Sequence, residues 1–189
     1  MDTLLNGDER GLLLQIARRA LEACVCGRSL PRLDWDSLPD SFREPGATFV
    51  TLTRHGQLRG CIGALEAHLP LAEDVCLHTQ AAALEDYRFL QVTPDELPEI
   101  MIEISRLTSP QPLAYEGHED LISKLHPGID GVVLQDGFRR ATFLPQVWEK
   151  ISTPELFLGH LCQKMGIATN AWRNRKLEVF TYQVEEFHE

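Results

Sequence analysis

No uninterrupted apolar run in this chain approaches the ~20 residues that a membrane helix requires. The stretch from Met1 to Arg10 is polar and acidic, with no basic segment leading into an apolar core, so neither a membrane span nor a secretory leader is expected and the default compartment is the cytoplasm. Basic residues are scarce: 18 Lys and Arg stand against 28 Asp and Glu, a formal charge of −10. Such a surface repels phosphate backbones and anionic lipid, which argues against nucleic-acid and membrane partners. Arg173, Arg175 and Lys176 are a local basic patch. The five cysteines are odd in number and irregularly spaced, so they give no disulfide framework and are expected to be reduced. Cys24-Val25-Cys26 lacks a second Cys or His pair to complete four ligands, and the histidines show no His-Glu-x-x-His spacing. Walker, Rossmann, Gly-x-Ser-x-Gly and iron–sulfur signatures are also missing, so no metal and no cofactor is expected.

What is present is an ordinary globular composition, 43% apolar, in a chain of 189 residues. Leu12, Leu13, Ile16, Ala17, Ala20 and Cys24 recur at helical spacing and predict a helix over 8 to 26, closed by Gly27. The next loop carries Pro31, Pro39, Pro45 and Gly46 and is expected to be irregular. Phe49 to Thr53, the pair His55-Gly56 and a return from Leu58 predict a hairpin over 49 to 65, with Cys61 opposite Val50 and Arg59 opposite Leu52 unless a bulge intervenes. Pro70 opens a second helix over 71 to 86, whose Ala81, Ala82 and Ala83 allow close packing on a sheet. Ile100, Ile102 and Ile104 alternate with Met101, Glu103 and Ser105 as a strand with two unlike faces.

Further on, a short helix around Leu121 to Leu125 precedes a strand over 132 to 135. Asp136-Gly137 then turns into a partner strand near Arg140 to Leu144. A helix through Phe157 to Met165 is predicted to start in a capping box of Ser152 and Glu155, and a final strand runs from Leu177 to about Val184. Strand–helix–strand units are few, so the fold class is α+β: a mostly antiparallel sheet with flanking helices, in one compact unit with room for two lobes.

Chemistry concentrates in Leu58-Arg59-Gly60-Cys61-Ile62-Gly63. Gly60 and Gly63 permit close backbone approach, and Arg59 beside Cys61 would favour a thiolate, the reactive form of cysteine. A buried, inert cysteine on a glycine-rich strand is the competing reading. Asp86 and Arg88, on either side of Tyr87, either present a guanidinium fork to a ligand or tie the second helix to the sheet as an internal ion pair. Glu103 is a general base if desolvated, or a strand carboxylate that pairs with a nearby arginine or stays in water.

These residues carry a resemblance to the AMMECR-type domain family over nearly the whole chain, about 8 to 187. The hexapeptide after the Phe49 to Leu52 strand is its hallmark. The ordered matches Leu71 to Val75, Glu85 to Phe89, Glu96 to Pro98, Ile102 to Ser105, Leu144 to Val147 and Lys164 to Gly166 extend it. Tyr87 stands where the family prefers proline, and Gly128-Ile129-Asp130-Gly131 departs from a common Gly-Lys-His-Gly form. The resemblance implies an α+β domain with a cleft near the hexapeptide and a link to a Memo-type protein and a radical S-adenosylmethionine protein. It implies no established activity.

Two functions from different classes follow. One is an enzyme or enzyme component acting on a small polar or anionic ligand, with Cys61 as nucleophile, Arg59 as stabiliser, and Gly60, Ile62, Gly63, Asp86, Arg88 and Glu103 as binding residues. The other is an interaction domain that docks a protein through the same segment and its backbone edge.

Overall fold

The computed structural model describes residues 4–189, so the first three residues of the polar N-terminal stretch lie outside it. The fold is α+β, with open sheets and flanking helices, and the chain divides into two compact units. One unit runs to Thr108 and takes back Glu185–Glu189 from the C-terminus; the other is Ser109–Val184. Among the described residues, no helix is long and apolar enough to cross a membrane.

In the first unit, α1 (Gly7–Val25) begins where the Asn6 side chain accepts from the Glu9 N–H at 2.9 Å and Glu9 accepts from the Asn6 N–H at 2.9 Å, a reciprocal cap that satisfies two otherwise unpaired donors. It ends at Gly27, whose φ of +67° fits the left-handed position that glycine fills without steric cost. Strands β1 (Pro45–Arg54) and β2 (Gln57–Gly63) form the predicted hairpin across His55 and Gly56, both at positive φ as a tight turn of this hand demands. The first strand starts four residues before Phe49, because Pro45 and Gly46 pair with β3 (Leu69–Pro70), so the proline-rich loop is shorter than expected.

Next come α2 (Leu71–Leu84), two residues shorter than expected, and β4 (Ile100–Leu107). The sheet order is β2-β1-β4 followed by the C-terminal strand Val184–His188, with β3 joined to β1. Val50 and Leu52 stand opposite Ile104 and Ile102, and all four are fully buried in one cluster with Leu13, Leu21 and Val75 from the two helices. Burial of each such side chain is worth about 1.5–3 kcal/mol, so this face sets the stability of the unit. The C-terminal strand is fixed by Glu185, buried, which accepts from the Leu5 N–H at 3.0 Å, Arg10 at 3.1 Å and Arg106 at 2.6 Å.

The second unit holds β5 (Gln111–Pro112), α3 (His118–Lys124), β6 (Gly131–Asp136), β7 (Arg139–Phe143), α4 (Pro154–Lys164), α5 (Ala171–Asn174) and β8 (Glu178–Tyr182), with antiparallel order β5-β8-β6-β7. Its core stacks Trp148 on Phe157 at 3.7 Å between ring centroids. The buried Tyr115 hydroxyl donates to the Leu177 carbonyl and accepts from the Leu177 N–H, each at 2.8 Å.

Two expectations are corrected here. The residue before α4 is Thr153 and makes no side-chain cap, so the Ser152–Glu155 box does not form. The single final strand is two, broken at Gln183, because β8 pairs within the second unit while the C-terminal strand joins the sheet of the first.

Close packing of α2 on β2 depends on Gly60. A Cβ there would lie 2.1 Å from the Ala82 backbone carbonyl oxygen, and Ala82 and Ala83 are themselves buried. Gly60→Ala is therefore expected to destabilise the protein by about 1–3 kcal/mol through overpacking. Gly11→Ala, inside α1 with nothing within 4 Å of the added atom, should instead stabilise by about 0.5–1 kcal/mol. Urea midpoints of the two variants check both signs.

Candidate functional site

The hairpin register decides which residues share a face. Arg54 pairs with Gln57 and Thr53 with Leu58, but Leu52 pairs with Gly60, so Arg59 is one extra residue in β2. That bulge moves every later pairing by one: Cys61 stands opposite Thr51, not Val50, and Ile62 opposite Val50. Arg59 accordingly has no partner position at Leu52.

Thr51 also faces Glu103 on β4, so Cys61, Thr51 and Glu103 form one row across three strands. This row lies on the face opposite Val50, Leu52, Ile102 and Ile104, and all three of its members are half-buried. The Thr51 hydroxyl donates to the Cys61 sulfur at 3.4 Å.

Asp86 and Arg88 hold the backbone of Cys61 from outside the sheet. The Cys61 N–H donates to Asp86 Oδ2 at 2.9 Å, and Arg88 Nη2 donates to the Cys61 carbonyl at 3.0 Å. The two side chains are joined to each other by Arg88 Nε to Asp86 Oδ1 at 2.8 Å and Nη2 to Oδ2 at 2.6 Å. Asp86, immediately after the end of α2, is buried, and its carboxyl is held far below the usual range by the Arg88 hydrogen bonds first, against the cost of desolvation. The internal ion pair is therefore formed, and it ties helix to sheet. It also occupies both outward-facing polar groups of Cys61 on the sheet's edge strand, so the backbone edge is not open to strand addition at this residue.

Arg59 is engaged elsewhere. Its Nε and Nη2 donate to Glu96 at 2.9 and 3.0 Å, Nη1 to the Leu90 carbonyl at 2.7 Å and Nη2 to the Gln91 carbonyl at 3.1 Å. Glu96 also accepts from the Thr93 N–H at 2.8 Å and from Arg54 at 3.2 Å. Its pKa falls from 4.5 to about 2, chiefly through the Arg59 hydrogen bonds, with Thr93 adding to them. The guanidinium bonded to the Cys61 backbone is thus that of Arg88, while Arg59 fastens β2 to the loop over 90 to 96.

Of the remaining hexapeptide residues Leu58 is exposed, while the other three face inward or pack against backbone. Ile62 packs against the apolar core, Gly60 lies under the Ala82 carbonyl, and a Cβ on Gly63 would fall 2.4 Å from the Thr48 carbonyl oxygen. Of the residues singled out in the sequence, the structure joins Cys61, Asp86 and Arg88 directly and sets Glu103 in the same row as Cys61.

Two participants, Thr51 and Glu96, lie outside the candidate residues that the sequence points to. Thr51 is part of an unremarkable β-branched strand until the register is known. Glu96 closes a Thr-x-x-Glu capping box with Thr93, and that spacing was a usable signal.

The AMMECR1 family model matches residues 14–187. The chain belongs to the AMMECR1 family. It is 38% identical over 190 residues to a protein of Methanothermobacter thermautotrophicus, covering 98% of this chain and 96% of that one. A protein of Thermofilum pendens is likewise 38% identical over 200 residues, covering 98% of this chain and 92% of its own. The crystal structure of an uncharacterized protein of Pyrococcus horikoshii superposes with a TM-score of 0.76 at 29% identity, covering 98% of this chain and 93% of that one. In this AMMECR1 chain the hallmark hexapeptide is consequently a structural joint as well as the carrier of a half-exposed thiol.

The buried carboxylates set an acid limit on the fold. Glu96, with its folded pKa near 2, contributes stability that is complete above its unfolded value of about 4.5 and is lost as pH falls through that window. Asp86 acts in the same sense over a range that starts lower. Urea midpoints should therefore drop between about pH 5 and pH 2. The gap between wild type and Glu96→Gln should narrow as pH falls; a gap of constant size would show that the ionised carboxylate is not what holds β2.

Proposed function

We propose that this chain is an enzyme component in which Cys61 is the nucleophile for a small polar or anionic ligand lying along the Cys61–Thr51–Glu103 row. One observation carries this reading: a half-exposed thiol accepts a hydroxyl hydrogen bond while its own backbone is fixed at both N–H and C=O. A nucleophile works when it is accessible and its position is held, and a half-exposed Cys61 whose backbone is fixed on both sides supports this reading. Glu103 lies two strand intervals from Cys61, about 10 Å, so it serves to take a proton from the far part of a bound molecule, not from the sulfur. Arg88 and Asp86 position Cys61, and Arg59 acts through Glu96 to hold the strand that carries it.

Alkylation rates test this directly. Burial pushes the Cys76 thiol up to about 11 and raises Cys24 and Cys162 as well. In a Cys26→Ser background, which removes the exposed thiol, Cys61 is expected to alkylate first at neutral pH. Thr51→Val should slow it about two- to tenfold, the range of one lost hydrogen bond. Peptide mass spectrometry that ranks Cys61 slowest would end the nucleophile reading.

A second reading rests on a different observation. Tyr87 is 94% exposed and Leu90 88% exposed, one between the two members of the Asp86–Arg88 clamp and the other beside the Arg59 contact. Large apolar side chains so placed suit a protein partner, and a Memo-type or radical S-adenosylmethionine protein would supply the cofactor chemistry this chain lacks motifs for. Gly60→Val cannot probe this, because it collides with the Ala82 backbone inside the fold. The usable variant is Tyr87→Ser with Leu90→Ser. Titration against each purified partner from the same cell should show binding that weakens about tenfold or more in the double variant and survives Cys61→Ser. Equal binding by wild type and the double variant would exclude docking at this surface.

A further inference from the structure

A groove of about 350 Å³ in the second unit is lined by side chains of opposite charge, and it is separate from the hexapeptide row. On α4, Glu155 and Gly159 are four residues apart and His160 follows, next to the buried stripe of Phe157, Leu158, Leu161 and Cys162. Gly159 leaves the middle of that face bare. A Cβ there would meet only the Thr169 carbonyl oxygen, at 3.4 Å, and the Thr169 Cβ, at 4.0 Å, so it would fit the fold while filling the groove.

Trp172 and Arg173 also line the groove. Trp172 is buried, and the Arg173 guanidinium carbon lies 4.8 Å from its ring centroid. Stacking of this kind orients a guanidinium without using its N–H donors, which stay available for a carboxylate. Among the described residues, no ion pair involves Glu155, His160 or Arg173.

A carboxylate and a guanidinium that line one groove, unmatched to each other, suit a ligand with both charges. We propose that this groove binds a small zwitterion of the α-amino-acid class. The ligand carboxylate is held by Arg173, its ammonium group by Glu155 with His160 beside it, and its side chain lies over Gly159. The volume falls within the range of small-molecule sites.

The test is ligand-observed saturation-transfer NMR on the full chain with pooled, then single, amino acids at concentrations up to about 10 mM, beyond which an affinity is too weak to describe a site. At least one amino acid is expected to bind, while its decarboxylated amine, its N-acetyl derivative and acetate do not. Arg173→Ala and Glu155→Gln should each weaken binding about tenfold or more, because each removes a charge-assisted contact. Gly159→Ala should weaken it to a similar extent with the melting temperature unchanged or raised, which separates loss of the groove from loss of the fold. Absence of any amino-acid signal, equal binding of acetate, or binding that survives all three substitutions would each overturn the proposal.

Discussion

Two buried carboxylates hold the edge strand of the first unit, and the rest of the candidate site depends on them. Asp86 and Glu96 each pair with an arginine, Arg88 and Arg59, and each joins β2 to a segment after α2. A buried ion pair is weak evidence for net stability, since desolvation offsets much of its attraction, but removing one partner leaves an uncompensated charge and costs several kcal/mol. These pairs therefore specify position more than they add stability. They fix where β2 lies, and thereby where the Cys61 sulfur lies.

The arginine bulge is the second constraint, and it acts through register. One extra residue in β2 sets Cys61 beside Thr51 and Glu103, where the face is polar and half-buried, and sends Ile62 into the apolar core beside Val50. Without it, Cys61 would stand opposite Val50 with the packed helices above it, as an inert core thiol. The same turn of backbone frees Arg59 to reach Glu96 and the Leu90 and Gln91 carbonyls, so the bulge and the ion pair support each other.

The glycines of the hexapeptide belong to this joint. Gly60 admits the Ala82 carbonyl and Gly63 the Thr48 carbonyl, close contacts that let helix, hairpin and sheet meet without a gap. Their small size serves the packing of this chain directly, with no ligand needed to account for it. The half-exposed Cys61 side chain is what such packing leaves over, and it is the part of the motif on which chemistry can rest.

The sequence by itself determined the α+β class, the helix faces, the alternation of Ile100, Ile102 and Ile104, the turn at His55-Gly56 and the segment that carries the site. Each of these is encoded locally, by periodicity of 3.6 or 2 or by residues that accept unusual φ, so nearby residues suffice to read it. Tertiary structure alone decided the register: the bulge at Arg59 goes with a pairing to Glu96, 37 residues away, which no local pattern encodes. It alone decided the partner of Cys61, since Thr51 gains its role only once the register is set. It also decided that the single strand expected from Leu177 to about Val184 ends at Tyr182 and that a second one, Val184–His188, joins a different sheet, because the two find their pairing partners in different units.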